Sequence, residues 1–177
     1  MSADVDVYAW LRDRGAETIA HPGGTLYAHL RRVRQRLAEL GQSPDVQLAG
    51  LTHAAYGTDG FDVVLLDHTD RGPLRALIGA DAEDLVHLYG ACDRKRSWPM
   101  LAATGTVHDR FAGRAVSVRA DQVTPLVDLS IVNELDVVQH LASVSDAHLA
   151  YLRELFATWS PAASVAVRGE AARVLGG

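Results

Sequence analysis

TLYAHLRRVRQRLAELGQSPDVQLAGLTHAAYGTDG, residues 25–60, is the stretch on which the fold turns. Apolar residues recur in it at intervals of three and four: Leu26, Leu30, Val33, Leu37 and Leu40, then Val46, Ala49 and Gly50. That period marks amphipathic helices with one face turned toward a core. Thr25 is placed to cap the first helix, and Gly41 to stop it. Ser43-Pro44 opens the second, Ser as the cap and Pro with its φ already helical. Gly50 permits the two helices to pack closely, at some loss of helix propensity. His29 and His53 fall within these apolar stripes, where an imidazole is costly to bury without a partner or a task. Neighbouring antiparallel helices are therefore expected to bring the two rings to a shared cavity.

Upstream, residues 4–14 read as a short helix with Val7, Trp10 and Leu11 on one side and Gly15 as its stop. Ala20-His21-Pro22-Gly23-Gly24 reads as a turn, because Pro and paired Gly oppose regular structure. It sets His21 just ahead of the helix bearing His29, close enough to share a pocket mouth. Downstream, Tyr56 follows His53 by three, a spacing that projects its phenol from the same helical face toward a substrate. Residues 56–60 then end the helix in a loop.

Thr69 or Asp70 is expected to start a short helix carrying Leu74, Leu77 and Ile78, and Gly79-Ala80-Asp81 another. Glu83 and Asp84 suit the positive end of that second dipole. Residues 103–118 alternate loosely around Ala112-Gly113, which suggests a β-hairpin. Asp121 is read as the cap of a long helix through Leu141, and Ser145 as the cap of a last one, ended by Pro161. The expectation is an all-α helical bundle with one small β-hairpin excursion near residues 103–118. Residues 1–160 are read as a single domain and 161–177 as a tail that frays.

The chain has 177 residues, 48% hydrophobic and 22% charged, ordinary for a globular domain. Its net charge of −5 offers no field for nucleic acid. The run Arg31-Arg32-Val33-Arg34-Gln35-Arg36 reads as a solvated helix face. Cys92 is the one cysteine, so no intrachain disulfide can form. Within LVHLYGAC it reads as a small buried hydrophobe rather than a nucleophile. No stretch reaches membrane-spanning length and no signal-peptide pattern is seen, so the expectation is a cytoplasmic protein with no membrane partner, a monomer or homodimer. No nucleotide cofactor is indicated.

Several motifs share an order with a known superfamily. HLRRVRQRLAEL followed by VQLAGLTHAAYGTDG resembles the opening of the HD metal-dependent phosphohydrolases, where a helix-borne His precedes a His-Asp pair. LIGADAEDLVHLYGACDR is similar to the segment after that pair in guanosine-tetraphosphate hydrolases. DLSIVNELDVVQHL resembles the late helix that carries the final aspartate. AHPGGTLYAHL, LTHAAYGTDGF and IVNELD resemble an HD-like family of bacteria and fungi. The resemblance implies an HD-like bundle, a divalent metal and a small-molecule substrate, with metal-assisted hydrolysis of a phosphate ester or related bond.

Departures from that pattern fall on the acids: Ala54 stands where the pair's Asp is expected, and Asn133 at the last Asp. Fewer carboxylates weaken hard ions such as Mg²⁺ and Mn²⁺ more than Zn²⁺ or Fe²⁺. The resemblance places metal ligation on His29, His53 and, by a shift of register, Asp136, with Fe, Zn or Mn as the ion. It places a catalytic set on His21, His29, His53, Tyr56, Asn133 and Glu134. Three other readings stand beside it. One is metal-free acid–base catalysis (a cyclase, isomerase or lyase). Another is an iron-dependent oxygenase of HD type that recruits His68 or His87, and the last is a ligand-binding module without turnover.

Overall fold

The computed structural model describes residues 3–176, with side chains from Asp6 onward. Met1, Ser2 and Gly177, the extremes of the domain and tail expected above, lie outside them. Ten helices and two small antiparallel hairpins make up the described chain. The contacts divide it into two compact units, residues 1–90 and 91–177.

The first unit contains α1 (Ala3–Asp13), β1 (Ala20–His21), β2 (Gly24–Thr25), α2 (Leu26–Glu39), α3 (Pro44–Thr52), α4 (Gly72–Ile78) and most of α5 (Ala80–Ala91). Leu26, Leu30, Val33 and Leu37 are buried along α2, as their spacing requires. The Thr25 hydroxyl accepts from Ala28 N–H, and Ser43 from Val46 N–H, so both expected caps form. Gly50 is the contact point of α2 and α3. A Cβ there would run into Leu37 Cδ1, so any other residue requires that side chain to shift.

Three local features differ from the sequence reading. The turn at residues 20–24 is the tip of a hairpin, with Ala20 opposite Thr25 and His21 opposite Gly24. Gly23 at φ 79° occupies the left-handed position that a Pro-Gly turn demands. The second helix does not run on to Tyr56 but ends at Thr52, leaving His53 as its C-cap. α4 begins at Gly72 rather than at Thr69 or Asp70. Asp67 accounts for that delay: its carboxylate accepts from both the backbone N–H and the hydroxyl of Thr69, holding a turn ahead of the helix.

The second unit contains α6 (Arg94–Ser97), α7 (Leu101–Thr104), β3 (Thr106–Asp109), β4 (Arg114–Ser117), α8 (Ala120–His140), α9 (Asp146–Trp159) and α10 (Val165–Leu175). The hairpin lies inside the expected span. Asp109 closes it by accepting from the N–H groups of Phe111 and Ala112, and Gly113 turns at φ 67°. Arg119, not Asp121, holds the N-cap position of α8. Asp121 sits in the first turn and pairs with the Arg119 guanidinium at 2.9 Å.

The segment beyond residue 160 is ordered as α10 rather than frayed, and packs on α8 and α9. Val167, Ala171 and Leu175 recur every four residues as its buried stripe. Ser164 caps it, and its own N–H donates to buried Asp128 of α8. No described helix is long and apolar enough to cross a membrane.

Candidate functional site

Three imidazoles meet in the first unit. β1 supplies His21, α2 supplies His29, and the C-cap of α3 supplies His53. The His21 and His29 rings stack with centroids 4.0 Å apart, and His53 meets His29 edge-on at 5.2 Å. His29 and His53 are 1% and 2% exposed, while His21 is only half-buried and forms the outer member. Phe61 closes on the His21 ring and Tyr89 on the His53 ring, each edge to face.

The end of α3 sets the tautomer of His53. Its Nδ1 lies 2.8 Å from the Gly50 carbonyl oxygen, which can only accept, so Nδ1 carries the hydrogen. In the neutral ring, Nε2 then keeps its lone pair. That lone pair faces His29 Nε2 at 3.3 Å, within range of a hydrogen bond donated by His29. Gly50 thus acts twice: its missing side chain leaves room for Leu37 of α2, and its carbonyl orients the His53 ring.

A second polar cluster in the same unit is ionic. Glu83 on α5 has no exposed side-chain surface. Its Oε1 accepts from the Tyr56 hydroxyl at 2.7 Å and from Arg71 Nε at 2.8 Å, and its Oε2 from Arg71 Nη2 at 2.6 Å and Arg75 Nη1 at 3.1 Å. Both arginines also reach Asp84, at 2.6 and 2.7 Å. Burial pushes the Glu83 carboxyl up, but the bonds from Arg71 and Tyr56 outweigh it and leave it below the ordinary glutamate range. Burial raises the Tyr56 phenol well above its usual value, and the bond and charge of Glu83 push it the same way. The phenol therefore stays protonated and spends that proton on Glu83. Tyr56 does not join the imidazoles as its spacing from His53 implied; its other ring contact is an edge from His87.

Asn133, Glu134 and Asp136 lie on α8 of the second unit, all buried. Glu134 Oε1 accepts from Arg94 Nη1 at 2.9 Å and from Asn133 Nδ2 at 3.0 Å, so its charge is matched locally. Asp136 lies 3.5 Å from His140 Nδ1, which is also 2.8 Å from the Asp136 backbone carbonyl. Cys92 is buried, as its apolar run implied.

The sequence reading did not single out Phe61 and Tyr89, or the four-charge cluster. Arg71 and Arg75, one helical turn apart, followed by the adjacent acids Glu83 and Asp84, were the available signal for the latter.

Among the described residues, no group of three or more His, Cys, Asp or Glu is arranged to hold a metal ion. Among the described residues, the His29–His53 pair, with Nε2 atoms 3.3 Å apart, has the separation of two metal-bound imidazoles. Ligands at about 2.0–2.1 Å on a tetrahedral ion stand about 3.3–3.4 Å apart. A backbone carbonyl on the far nitrogen, as Gly50 provides for His53, is the usual support of such a ligand. Two neutral nitrogens without a carboxylate suit zinc or iron better than magnesium or manganese.

Residues 10–94 match a family described as a domain of unknown function (DUF6817). The matched span contains all three imidazoles, Tyr56 and the Arg71–Glu83 cluster. No curated protein and no solved structure matches the chain.

Proposed function

We propose that the first unit is the catalytic part of a small-molecule hydrolase with an HD-like, carboxylate-poor centre, built on His21, His29 and His53. The observation that carries this reading is the 3.3 Å separation of the His29 and His53 Nε2 atoms, with His53 held in the tautomer that aims its lone pair at the gap. His29 and His53 would hold a zinc or iron ion as two of its ligands, water or substrate filling the other positions. Such an ion would supply Lewis-acid polarisation of a phosphate ester or related bond and would make water a better nucleophile. The chain's own residues supply the rest. Gly50 fixes His53, Tyr89 and Phe61 shield the rings, and half-buried His21 passes a proton between the leaving group and the outside.

A second reading, metal-free acid–base catalysis, rests on the same distance: a gap of 3.3 Å also holds one shared hydrogen. Elemental analysis of the purified chain after incubation with Zn²⁺ or Fe²⁺ separates the two. Near-stoichiometric metal that disappears in the His29→Ala/His53→Ala variant supports the metal-assisted hydrolase. Equal metal content in the two proteins, or none in either, overturns it in favour of acid–base chemistry.

A further inference from the structure

A recess of about 250 Å³ lies among α8, α9 and α10 of the second unit, far in sequence from the imidazoles. Ile131, Phe156, Ala171 and Leu175 give it apolar walls, and Arg153 and Arg168 border it. We propose that it binds a small apolar monocarboxylate, tail inward and carboxylate at the rim that Arg153 and Arg168 border.

Both cations are held in place by bonds that leave donors over. Arg153 donates through Nε to the Leu175 carbonyl at 2.6 Å. Arg168 donates through Nη1 to the Ser160 carbonyl at 3.1 Å and lies within 3.5 Å of the Ser160 hydroxyl oxygen. Neither is matched to an acid among the described ion pairs, in contrast to Arg71, Arg75, Arg94, Arg119 and Arg173. Two positioned guanidinium groups beside an apolar wall complement an anion with a hydrocarbon body. A sugar phosphate would leave its hydroxyl groups against Ile131 and Phe156 without partners, which is costly. The volume falls just under the range of about 300–1,000 Å³ usual for small-molecule pockets, so the body is a short aliphatic chain or a single ring.

Octanoate titrated into the whole chain by isothermal titration calorimetry tests the assignment. Saturable one-site binding is expected, with octanol (tail alone) and acetate (charge alone) each about tenfold weaker or worse. Arg153→Gln/Arg168→Gln should lose about tenfold in octanoate affinity. Ala172→Phe, which adds bulk at an exposed lining position, should abolish binding while leaving the circular-dichroism spectrum unchanged. Absence of saturable binding, equal affinity for octanol, or undiminished binding in Ala172→Phe overturns the proposal. So does a dimer in sedimentation that Ala172→Phe splits and octanoate does not, because the recess would then seat a second copy of the chain.

Discussion

The two polar clusters of the first unit solve the same problem in opposite ways. Glu83 is buried with a full negative charge, and Tyr56, Arg71 and Arg75 saturate its oxygens. His29 and His53 are buried as rings whose neutral form needs no counter-charge, and they turn two Nε2 atoms toward one another. A carboxylate so fully bonded cannot give or take a proton in the physiological range, and its phenol partner is held protonated. The cluster is therefore a brace linking α4 and α5 to the loop after α3. The imidazole pair keeps lone-pair chemistry in reserve. Charge does not mark the candidate site here; convergent imidazole nitrogens do.

If the brace is structural, removing its hub should produce the largest loss of stability. Glu83→Ala leaves the buried Tyr56 hydroxyl without its acceptor and two arginines sharing Asp84. A cost of about 3 kcal/mol is expected, at the low end for a buried ion pair because Arg71 and Arg75 are partly exposed. Thermal unfolding measures it; a change under 1 kcal/mol would return the brace to the ordinary run of surface ion pairs. Acid should remove part of the same stabilisation. Glu83 titrates lower in the folded chain than in the unfolded one, so its contribution is complete above the ordinary glutamate value of 4.5 and fades as pH falls through the depressed folded value. The gap in melting temperature between wild type and Glu83→Gln should accordingly narrow below pH 4.5 and stay constant above it. A gap that widens in acid contradicts this sign.

The contrast between the clusters also separates what the sequence could say from what it could not. Helical spacing and the caps Thr25 and Ser43 are local signals, so α2, α3 and the inward placing of His29 were readable from residues 25–53. The loose alternation around Ala112-Gly113 likewise marked the second hairpin. Three things depended on side-chain bonds or packing that helical spacing alone does not show. The end of α3 at Thr52 is fixed by the His53 ring satisfying the Gly50 carbonyl, although the apolar run continues through Ala54 and Ala55. Glu83 and Asp84 looked like first-turn acids suited to the helix dipole, and only the fold shows Arg71 and Arg75 arriving on them. The alanine-rich end hid the stripe at residues 167, 171 and 175, whose burial depends on α8 and α9 being present.

Gly50 is where the imidazole pair can be strained without touching either ring. In Gly50→Ala the added methyl meets Leu37 Cδ1, the end of a movable side chain, with Val33 Cγ1 at 3.4 Å behind it. Overpacking of this kind costs about 1–3 kcal/mol, and alanine's better helix propensity returns up to about 1. A net loss of about 1–2 kcal/mol is expected, together with a wider His29–His53 gap. The two readouts test different things: a lower melting temperature reports the packing, and weakened zinc uptake reports the gap. Unchanged zinc uptake in a destabilised variant would show that the pair tolerates the displacement and that its separation is not held by Gly50.

The smallest change expected is the most discriminating for the ionic cluster. Tyr56→Phe removes the donor and leaves Glu83 bonded to Arg71 and Arg75, so no buried charge loses its counter-ion. The loss should be about 0.5–1 kcal/mol, the usual net value of a hydrogen bond whose acceptor remains otherwise satisfied. Zinc uptake by His29 and His53 should not move, since the phenol bonds to Glu83 and contacts the His87 ring. Turnover of a substrate, once one is found, should likewise survive. A large loss of turnover with little change in melting temperature would instead place the Tyr56 hydroxyl in the chemistry. The brace and the imidazoles would then have to be treated as one site.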